Sequence, residues 1–402
     1  MGIIFSSFNG LEPKLRFPEF KGNYKTTNLS EYLFENKDRN KSEVYTKKDV
    51  LSVSGEFGIV NQIKLQGRSF AGERVKEYHI VETNDIVYTK SPLKANPYGI
   101  IKVNKGIPGI VSTLYAVYHV RNTAFPEYID YYFSNDLRLN KYLKPLVNIG
   151  AKHDMKVNNE TVLIGNVTFP TNEEQQKIAD FLSLIDQRIE KQRQLVESLK
   201  KYKRGLLSAI FEHKIIDGIW EKYKLSSILK ERATYCEKDG TYEHVTLSRD
   251  GIMPKTERYD RDFLVSSENK KYKITKIGDI CYNPANMKFG VICLNTYGDA
   301  IFSPIYVTFE IKSGIDKRFV GLYMIRNDFI GRSLKFQQGT VYERMSVSPE
   351  DLLSMDIELP MLEIQKQISN IFTTIDEKIT NENNVLNELN LLKKCLLQQM
   401  FI

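Results

Sequence analysis

The feature that most constrains the fold is an internal repeat, which returns 190 residues further along the chain, from Pro170 to Pro360. Each copy opens on proline, continues with glutamate and glutamine, and then carries apolar residues and one aspartate at fixed positions. The matched pairs are Pro170/Pro360, Glu173/Glu363, Gln175/Gln365, Ile178/Ile368, Leu182/Phe372, Ile185/Ile375, Asp186/Asp376 and Ile189/Ile379. A repeat of this length within one chain predicts two structurally related halves.

Each copy also predicts a long helix. Its apolar residues recur at alternating steps of four and three, which is the spacing of a coiled-coil seam. A proline precedes each helix, and Thr171 with Asn172 offers an N-cap in the first copy. The first helix is predicted to run to about His213, and ~40 residues would span about 60 Å. A helix longer than the core of a compact domain needs is predicted to act as a spacer.

Polar residues interrupt both seams at the same places. Gln192 corresponds to Glu382, and Lys203 corresponds to Lys393. A polar residue at a seam position costs stability and fixes register or partner. The two helices are therefore predicted to pack on each other or on equivalent partner surfaces.

The segments before the two helices have a mixed α and β character. Runs of Val, Ile, Tyr and Thr bounded by Gly, Asn and Pro indicate strands. Landmarks recur in the same order, such as 85–88 with 279–282 and Gly99 with Gly290. The predicted fold class is α+β, with two tandem mixed α/β domains, each followed by a long helix. The predicted boundaries are 1–169 for the first domain, 170–213 for the central helix, 214–359 for the second domain and 360–402 for the C-terminal helix.

Composition sets the broad class. The apolar fraction of 42% in 402 residues is that of a folded protein with room for two cores. Lys and Arg exceed Asp and Glu by 57 to 50, and the pI is near 8.9, which suits a polyanionic partner without proving one. Four scattered cysteines show no zinc-ligand spacing, so we expect reduced thiols and no metal. With no window apolar enough to span a membrane and no signal peptide, the expected location is the cytoplasm.

Enzyme signatures are missing from the sequence. It contains no GxGxxG, Walker loop, HExxH or GxSxG motif, and its five histidines are scattered. Asn283-Pro284 matches the first half of the Asn-Pro-Pro-Tyr loop of amino-methyltransferases, but Ala285 and Asn286 break that pattern. We therefore expect neither catalysis nor a bound cofactor.

Candidate DNA-binding residues lie in loops that differ between the two halves. DNA binding needs cations for phosphates, and amide or guanidinium groups for base edges. For each residue alone, a solvated loop charge is the simpler interpretation, but equivalent placement in both repeats favours DNA. The candidates are Lys90, Lys94, Asn96, Lys152 and His153 in the first half and Arg249, Asn283, Asn286, Lys288, Tyr342 and Arg344 in the second.

A basic cluster on the first helix has two interpretations. It comprises Lys191, Arg193, Lys200, Lys201, Lys203 and Arg204. Contact with DNA or an acidic partner is one interpretation, and a solvated helix face is the other. The second helix lacks most of these charges, and this asymmetry favours the solvated face.

The duplicated Pro-x-x-Glu-x-Gln helix, together with 15–20 and 279–290, resembles the specificity subunit of type I restriction-modification systems. The resemblance covers nearly the whole chain. It implies that each domain is a target-recognition domain that reads one half of an asymmetric, bipartite DNA sequence. It also implies that the two helices pack as an antiparallel coiled coil, which fixes the gap between the half-sites.

The same resemblance implies the partners. Two methyltransferase (modification) subunits would dock on the helices and bring S-adenosylmethionine, and translocase-nuclease (restriction) subunits would add cleavage. This chain would contribute specificity only. The residues expected at the helix pair and its partner surface are Ile178, Leu182, Ile185, Ile189, Ile368, Phe372, Ile375 and Ile379.

Three other functions stay open at the level of sequence. The first is a stand-alone, sequence-specific DNA-binding adaptor without a restriction partner. The second is a scaffold that recruits proteins through its coiled coil and binds no DNA. The third, an enzyme acting alone, has the least support because no catalytic constellation is present. The target bases and the gap length cannot be read from the sequence.

Overall fold

The structure is a computed structural model that describes residues 4–5, 12–72, 74–149, 155–213, 215–237, 240–255, 271–337 and 345–402. The chain divides into two compact units. Unit 1 comprises Met1–Arg193 and Asn384–Ile402, and unit 2 comprises Gln194–Asn383. Each long helix therefore contributes one half to each unit.

The first unit contains most of the N-terminal half of the chain. Its strands are β1 (Ile4–Phe5), β2 (Leu15–Arg16), β3 (Lys25–Asn28), β4 (Leu33–Glu35), β5 (Leu51–Ser54), β6 (Gly58–Asn61), β7 (His79–Val81), β8 (Ile86–Thr89), β9 (Ile101–Val103), β10 (Gly109–Val111), β11 (Tyr115–Val120), β12 (Asn148–Ile149), β13 (Met155–Lys156) and β14 (Asn166–Phe169). Its helices are α1 (Gln62–Gln66), α2 (Pro126–Phe133), α3 (Asp136–Leu143) and the first half of α4 (Asn172–Phe211).

A four-stranded antiparallel sheet is the centre of unit 1, in the order β4-β11-β8-β9. One face of this sheet packs on α2 and α3, where Tyr88, Tyr118 and Tyr128 are fully buried in the main core. Further strand pairs are β7 with β10, β5 with β6 and β3 with β14. Val87 and Val117 point to a second buried cluster on the other face of the sheet, so both faces are covered and β8 is buried throughout.

The second unit repeats this plan. Its strands are β15 (Glu221–Lys224), β16 (Leu229–Glu231), β17 (Tyr235–Cys236), β18 (Glu243–Ser248), β19 (Gly251–Pro254), β20 (Tyr272–Thr275), β21 (Ile280–Tyr282), β22 (Ile292–Leu294), β23 (Ala300–Phe302), β24 (Val307–Ile311) and β25 (Asp356–Leu359). Its helices are the second half of α4, α5 (Leu225–Ile228), α6 (Lys317–Met324), α7 (Asn327–Ser333), α8 (Pro349–Ser354) and the first half of α9 (Leu362–Gln399).

The central sheet of unit 2 has the order β16-β24-β21-β22, which matches β4-β11-β8-β9 strand for strand. A second sheet has the order β17-β20-β23-β18-β19. Its β20–β23 pair corresponds to β7–β10 in unit 1. The recurrence of both pairings means that the sequence landmarks mark a duplicated scaffold.

The helices α4 and α9 run antiparallel. In unit 1, Ile178 near the start of α4 shares a core with Met400 near the end of α9. In unit 2, Phe211 at the end of α4 shares a core with Phe372 near the start of α9. The predicted α+β fold class, with two domains each followed by a long helix, is thereby confirmed.

The polar seam residues make reciprocal ion pairs between the two helices. Lys393 lies 2.5 Å from Asp186 in unit 1, and Lys203 lies 2.5 Å from Asp376 in unit 2. All four residues belong to the repeat, so each copy supplies one lysine and one aspartate. A shift of one helix by a turn would separate both pairs, and the pairs therefore specify the register.

Candidate nucleic-acid interface

The candidate loops occupy equivalent positions in the two central sheets. The first connects β8 to β9, and the second connects β21 to β22. Each is closed by the same backbone bond, Thr89 N–H to Ile100 O at 2.9 Å and Asn283 N–H to Val291 O at 3.0 Å. Gly99 ends the first loop at φ 89°, with Thr89 O only 2.0 Å from where a Cβ would stand. Only glycine fits this close approach.

In the loop of unit 1, the candidate lysines are more accessible to solvent than the candidate asparagine, Asn96. Lys94 is exposed, and Lys90 is half-buried, which lowers the pKa of its ammonium group. Asn96 is buried, and its amide donates a 2.9 Å hydrogen bond to Asp136. The hydroxyl of Tyr88 donates to Tyr98 O at 2.7 Å and fixes the loop from below. Asn96 therefore holds the loop in place, and Lys94 is the exposed lysine of the loop.

The loop of unit 2 forms a short 3₁₀ helix, Pro284–Phe289. Asn283 is buried and caps this helix by accepting a 3.1 Å hydrogen bond from Ala285 N–H. Asn286 is half-buried, and Lys288 is exposed, with its ammonium group 5.0 Å from the ring centre of Phe289. Phe289 is 60% exposed. A cation beside an exposed aromatic ring can contact a phosphate and a base together.

Two further segments adjoin this loop. Val347 N–H donates to Pro284 O at 3.2 Å, so the chain that re-enters the described structure at 345 runs beside the loop. Arg249 is exposed at the turn between β18 and β19. That hairpin packs through Leu247 on the core that contains Val291. Arg249 is thus carried by the same core as the loop of unit 2.

Four candidates, Lys152, His153, Tyr342 and Arg344, lie outside the described residues. On either side of 338–344, the amide of Gln337 donates to Met345 O at 3.2 Å. These four residues stay predictions from sequence.

A duplicated acidic turn positions the strand that leads to each loop. Asp85 accepts from Glu82 N–H, and Asp279 accepts from Lys276 N–H, each at 2.8 Å. Asp85 also meets His119 Nδ1 at 2.6 Å, and burial raises the pKa of its carboxyl group. In unit 2 the partner is instead Arg232, which donates two hydrogen bonds to Asp279 at 2.7 and 3.0 Å.

The residues predicted at the helix pair are mostly buried or half-buried within the two units. Ile178 and Leu182 belong to the core of unit 1, and Ile368 and Phe372 belong to that of unit 2. Ile189 is buried, whereas Ile185, Ile375 and Ile379 are half-buried. The exposed apolar side chains of the two helices are others, which the seam pattern does not single out. They are Leu184, Leu195, Tyr202, Ile371, Val385, Leu391 and Leu392.

Three of the six residues of the basic cluster on α4 make contacts with acidic side chains. Arg193 pairs with Glu190 and Lys200 with Glu197, both at 2.8 Å on the helix surface. Lys203 reaches Asp376. These contacts support the solvated-face interpretation for this cluster.

Among the described residues, no group of three or more His, Cys, Asp or Glu side chains could hold a metal ion. Within the same part of the chain, no helix is long and apolar enough to cross a membrane.

Comparison with known proteins identifies this architecture. Residues 220–391 match the family model described as type I restriction modification DNA specificity domain. This match covers unit 2 from β15 onward and most of α9, including the second candidate loop.

Two solved structures share the fold over nearly the whole chain. One belongs to a study of complex assembly and conformational transition of the type I R-M system, with TM-score 0.55 and 13% identity, covering 94% of this chain and 97% of that chain. The other is the S subunit of a type I restriction-modification system from M. genitalium, with TM-score 0.54 and 13% identity, covering 97% of this chain and 99% of that chain. The fold of this chain is therefore shared with these two structures.

Proposed function

We propose that the chain reads an asymmetric, bipartite DNA target, because residues 220–391 match the family model of type I restriction modification DNA specificity domains and the chain shares its fold with a solved S subunit. Each unit contributes one target-recognition domain and reads one half-site. The chain supplies sequence recognition, and the methylation chemistry belongs to partner subunits in the cytoplasm.

The observation that carries this proposal is the duplicated sheet with two unlike loops. The strand order and the loop-closing bonds are the same in both units. The loops differ, with Lys90 and Lys94 in one and Lys288 beside Phe289 in the other. Two copies of one scaffold that carry different side chains in their loops are suited to recognise two different short DNA sequences.

Docking of two methyltransferase subunits is supported by exposed apolar residues at repeat-equivalent positions. Leu195 corresponds to Val385, and Tyr202 corresponds to Leu392. The two residues of each helix are separated by one heptad. Apolar side chains in such an arrangement mark a protein-binding surface. Two equivalent patches on one chain fit two copies of one partner.

Binding-site selection tests the DNA proposal. The chain, purified with a type I methyltransferase subunit, is incubated with random duplex and the bound fraction is sequenced. We expect two short conserved blocks separated by a constant gap. A single continuous site, bound equally well by the chain alone, would favour the stand-alone adaptor, and the absence of any enriched sequence would contradict both.

Native mass spectrometry tests the stoichiometry. The expected complex contains two methyltransferase subunits for each copy of this chain. Leu195→Glu and Val385→Glu should each remove one methyltransferase subunit, and the double variant should remove both. Glu197→Gln, an exposed change on the same helix, is the control and should keep both. A complex that keeps two subunits in the double variant would place the docking surface elsewhere.

A further inference from the structure

Each unit carries an exposed aliphatic residue in a short turn beside its candidate DNA loop. In unit 1 the turn joins β10 to β11, and its last residue, Leu114, is 64% exposed. In unit 2 the turn joins β23 to β24, and Ile305 is 62% exposed. The two residues correspond in the internal repeat. The segments 112–114 and 303–305 are here called the flanking turns.

In unit 1, the flanking turn lies directly against the loop that joins β8 to β9. The pairing of β11 with β8 sets Tyr115 opposite Thr89. The next pair continues this ladder, because the N–H group of Lys90 donates to Leu114 O at 3.3 Å. Leu114 is therefore the cross-strand neighbour of Lys90, the first residue of the loop.

In unit 2, the sheet register places the flanking turn in the same way. The pairing of β24 with β21 sets Val307 opposite Tyr282. Two residues further along, the same register sets Ile305 opposite Pro284, which is the first residue of the 3₁₀ helix in the loop. Each flanking turn therefore adjoins the start of its loop at an equivalent position.

The flanking turns have the same backbone closure and a rigid base. Each is closed by a hydrogen bond of 3.1 Å, from Tyr115 N–H to Ser112 O in unit 1 and from Tyr306 N–H to Ser303 O in unit 2. The last residues of β10 and β23, which lead into the turns, are fully buried. A turn held by buried strands on its sheet presents its exposed side chain at a fixed place, as recognition of a base requires.

The surroundings of the flanking turns point to DNA as the partner of these side chains. A single exposed aliphatic residue is ordinary on a protein surface. Here the exposure returns at the same position in both units, beside loops that carry the exposed lysines Lys94 and Lys288. Lysines fix a protein on the phosphate backbone, whereas discrimination comes from contacts with base edges. The apolar feature that base edges display in the major groove is the methyl group of thymine.

We propose that Leu114 and Ile305 each contact the methyl group of a thymine in the half-site read by their own unit. This inference rests on the proposed function and adds two residues that lie outside the candidate loops. Each contact favours thymine over cytosine at one position of its half-site. The neighbouring lysines contribute affinity that does not depend on the base.

Replacement of thymine by deoxyuridine tests the contact, because it removes one methyl group and leaves the base pair intact. The chain, in complex with its methyltransferase subunits, is titrated with its selected duplex, in which each thymine is replaced in turn. At one position in each half-site, deoxyuridine should weaken wild-type binding about fourfold, the effect of one methyl group that is no longer buried. Leu114→Ala should abolish this difference in the half-site of unit 1, and Ile305→Ala should abolish it in that of unit 2.

Ile107→Ala and Ile277→Ala are the matched controls. Both residues are exposed isoleucines, at 71% and 63%, and both lie at the end of a central sheet that is opposite to its loop. These variants should keep the deoxyuridine effect in both half-sites. All four alanine variants should unfold at the temperature of the wild type, because each replaces an exposed side chain.

The outcomes distinguish failure of this inference from failure of the proposed function. If the wild type selects a bipartite sequence, but deoxyuridine has no effect or the variants at Leu114 and Ile305 keep it, the inference fails and the proposed function stands. If these variants weaken binding to thymine and deoxyuridine duplexes equally, the side chains act as wedges between base pairs, which also overturns the thymine contact. If no sequence is selected, the proposed function fails, and the inference fails with it.

Discussion

At the residue scale, the repeated glutamines explain why the motif returns. Gln175 is fully buried, accepts from Phe125 N–H at 3.0 Å and donates to Pro170 O at 3.1 Å. Gln365 accepts from Asp316 N–H at 3.0 Å and donates to Pro360 O at 2.7 Å. Each glutamine thus joins the start of a long helix to the N-cap residue of a short helix, α2 in unit 1 and α6 in unit 2.

Replacement of these glutamines should destabilise one unit at a time. Gln175→Leu keeps the volume but leaves Phe125 N–H and Pro170 O unpaired, which should cost about 2 kcal/mol of unfolding free energy. Gln365→Leu should do the same in unit 2. Exposed Gln187→Leu is the control and should change stability by less than about 0.5 kcal/mol. Urea unfolding measures the effect, and wild-type stability in Gln175→Leu would contradict this role.

His79 predicts an acid sensitivity of unit 1. Burial lowers its pKa to about 4 in the folded protein, against 6.5 in the unfolded chain, so the unfolded state binds more protons in between. Stability from this group is therefore complete above pH 6.5 and is lost as pH falls towards 4, by at most about 3 kcal/mol. In His79→Leu this part of the pH dependence should vanish from unfolding curves. An unchanged pH dependence would show that His79 has the same pKa in the folded and unfolded states and would contradict this prediction.

The candidate site shows where sequence reasoning stops at this scale. Lys94 and Lys288 are exposed as a binding role requires, but Asn96 and Asn283 are buried within their loops. Asparagine reads base edges and also caps turns, so residue type alone cannot separate the two uses.

At the element scale, the spacing of apolar residues and the duplicated motif predicted α4 and α9, because each can be read within one short stretch of sequence. The seam pattern does not reveal what covers each position. Ile178 and Leu182 are enclosed by the chain's own domain, whereas Leu195 and Leu392 stay exposed. Strand order was not predicted either, since it depends on contacts between residues far apart in sequence.

The residues at the C-terminal ends of both long helices should matter as much as their seams, with Phe211 at the end of α4 and Phe401 just beyond the end of α9. Phe401 packs 5.1 Å from the ring of Tyr128, and Phe211, its repeat equivalent, packs 5.2 Å from that of Phe319. Phe401→Ala should cost about 3 kcal/mol and raise hydrogen exchange in unit 1 only. Phe211→Ala should do so in unit 2 only, and exposed Leu391→Ala should do neither. Equal effects of Phe401→Ala on both units would contradict this division.

At the scale of the whole molecule, the repeat predicted the duplicated architecture, since two copies of one helix motif require two copies of the scaffold on which it packs. The target sequence is not predictable in this way, because it depends on side chains in the loops that differ. The role of the two helices as a ruler can be tested directly.

Insertion of one heptad into both helices, after Arg193 and after Asn383, should lengthen the gap between half-sites. Seven residues add about 10 Å of helix, which corresponds to about three base pairs. Insertion of seven residues into the exposed turn at Glu56, between β5 and β6, is the control and should leave the gap unchanged. Altered half-sites with the original gap would contradict the idea that the two helices set the length of the gap.

The most direct test of the central claim is to express the chain with a type I methyltransferase subunit and to map adenine methylation across the host genome by single-molecule sequencing. A bipartite motif with a constant gap, absent when this chain is omitted, is the predicted result. Association of the two proteins without any methylated motif, or the same motif in the absence of this chain, would contradict its role in specificity.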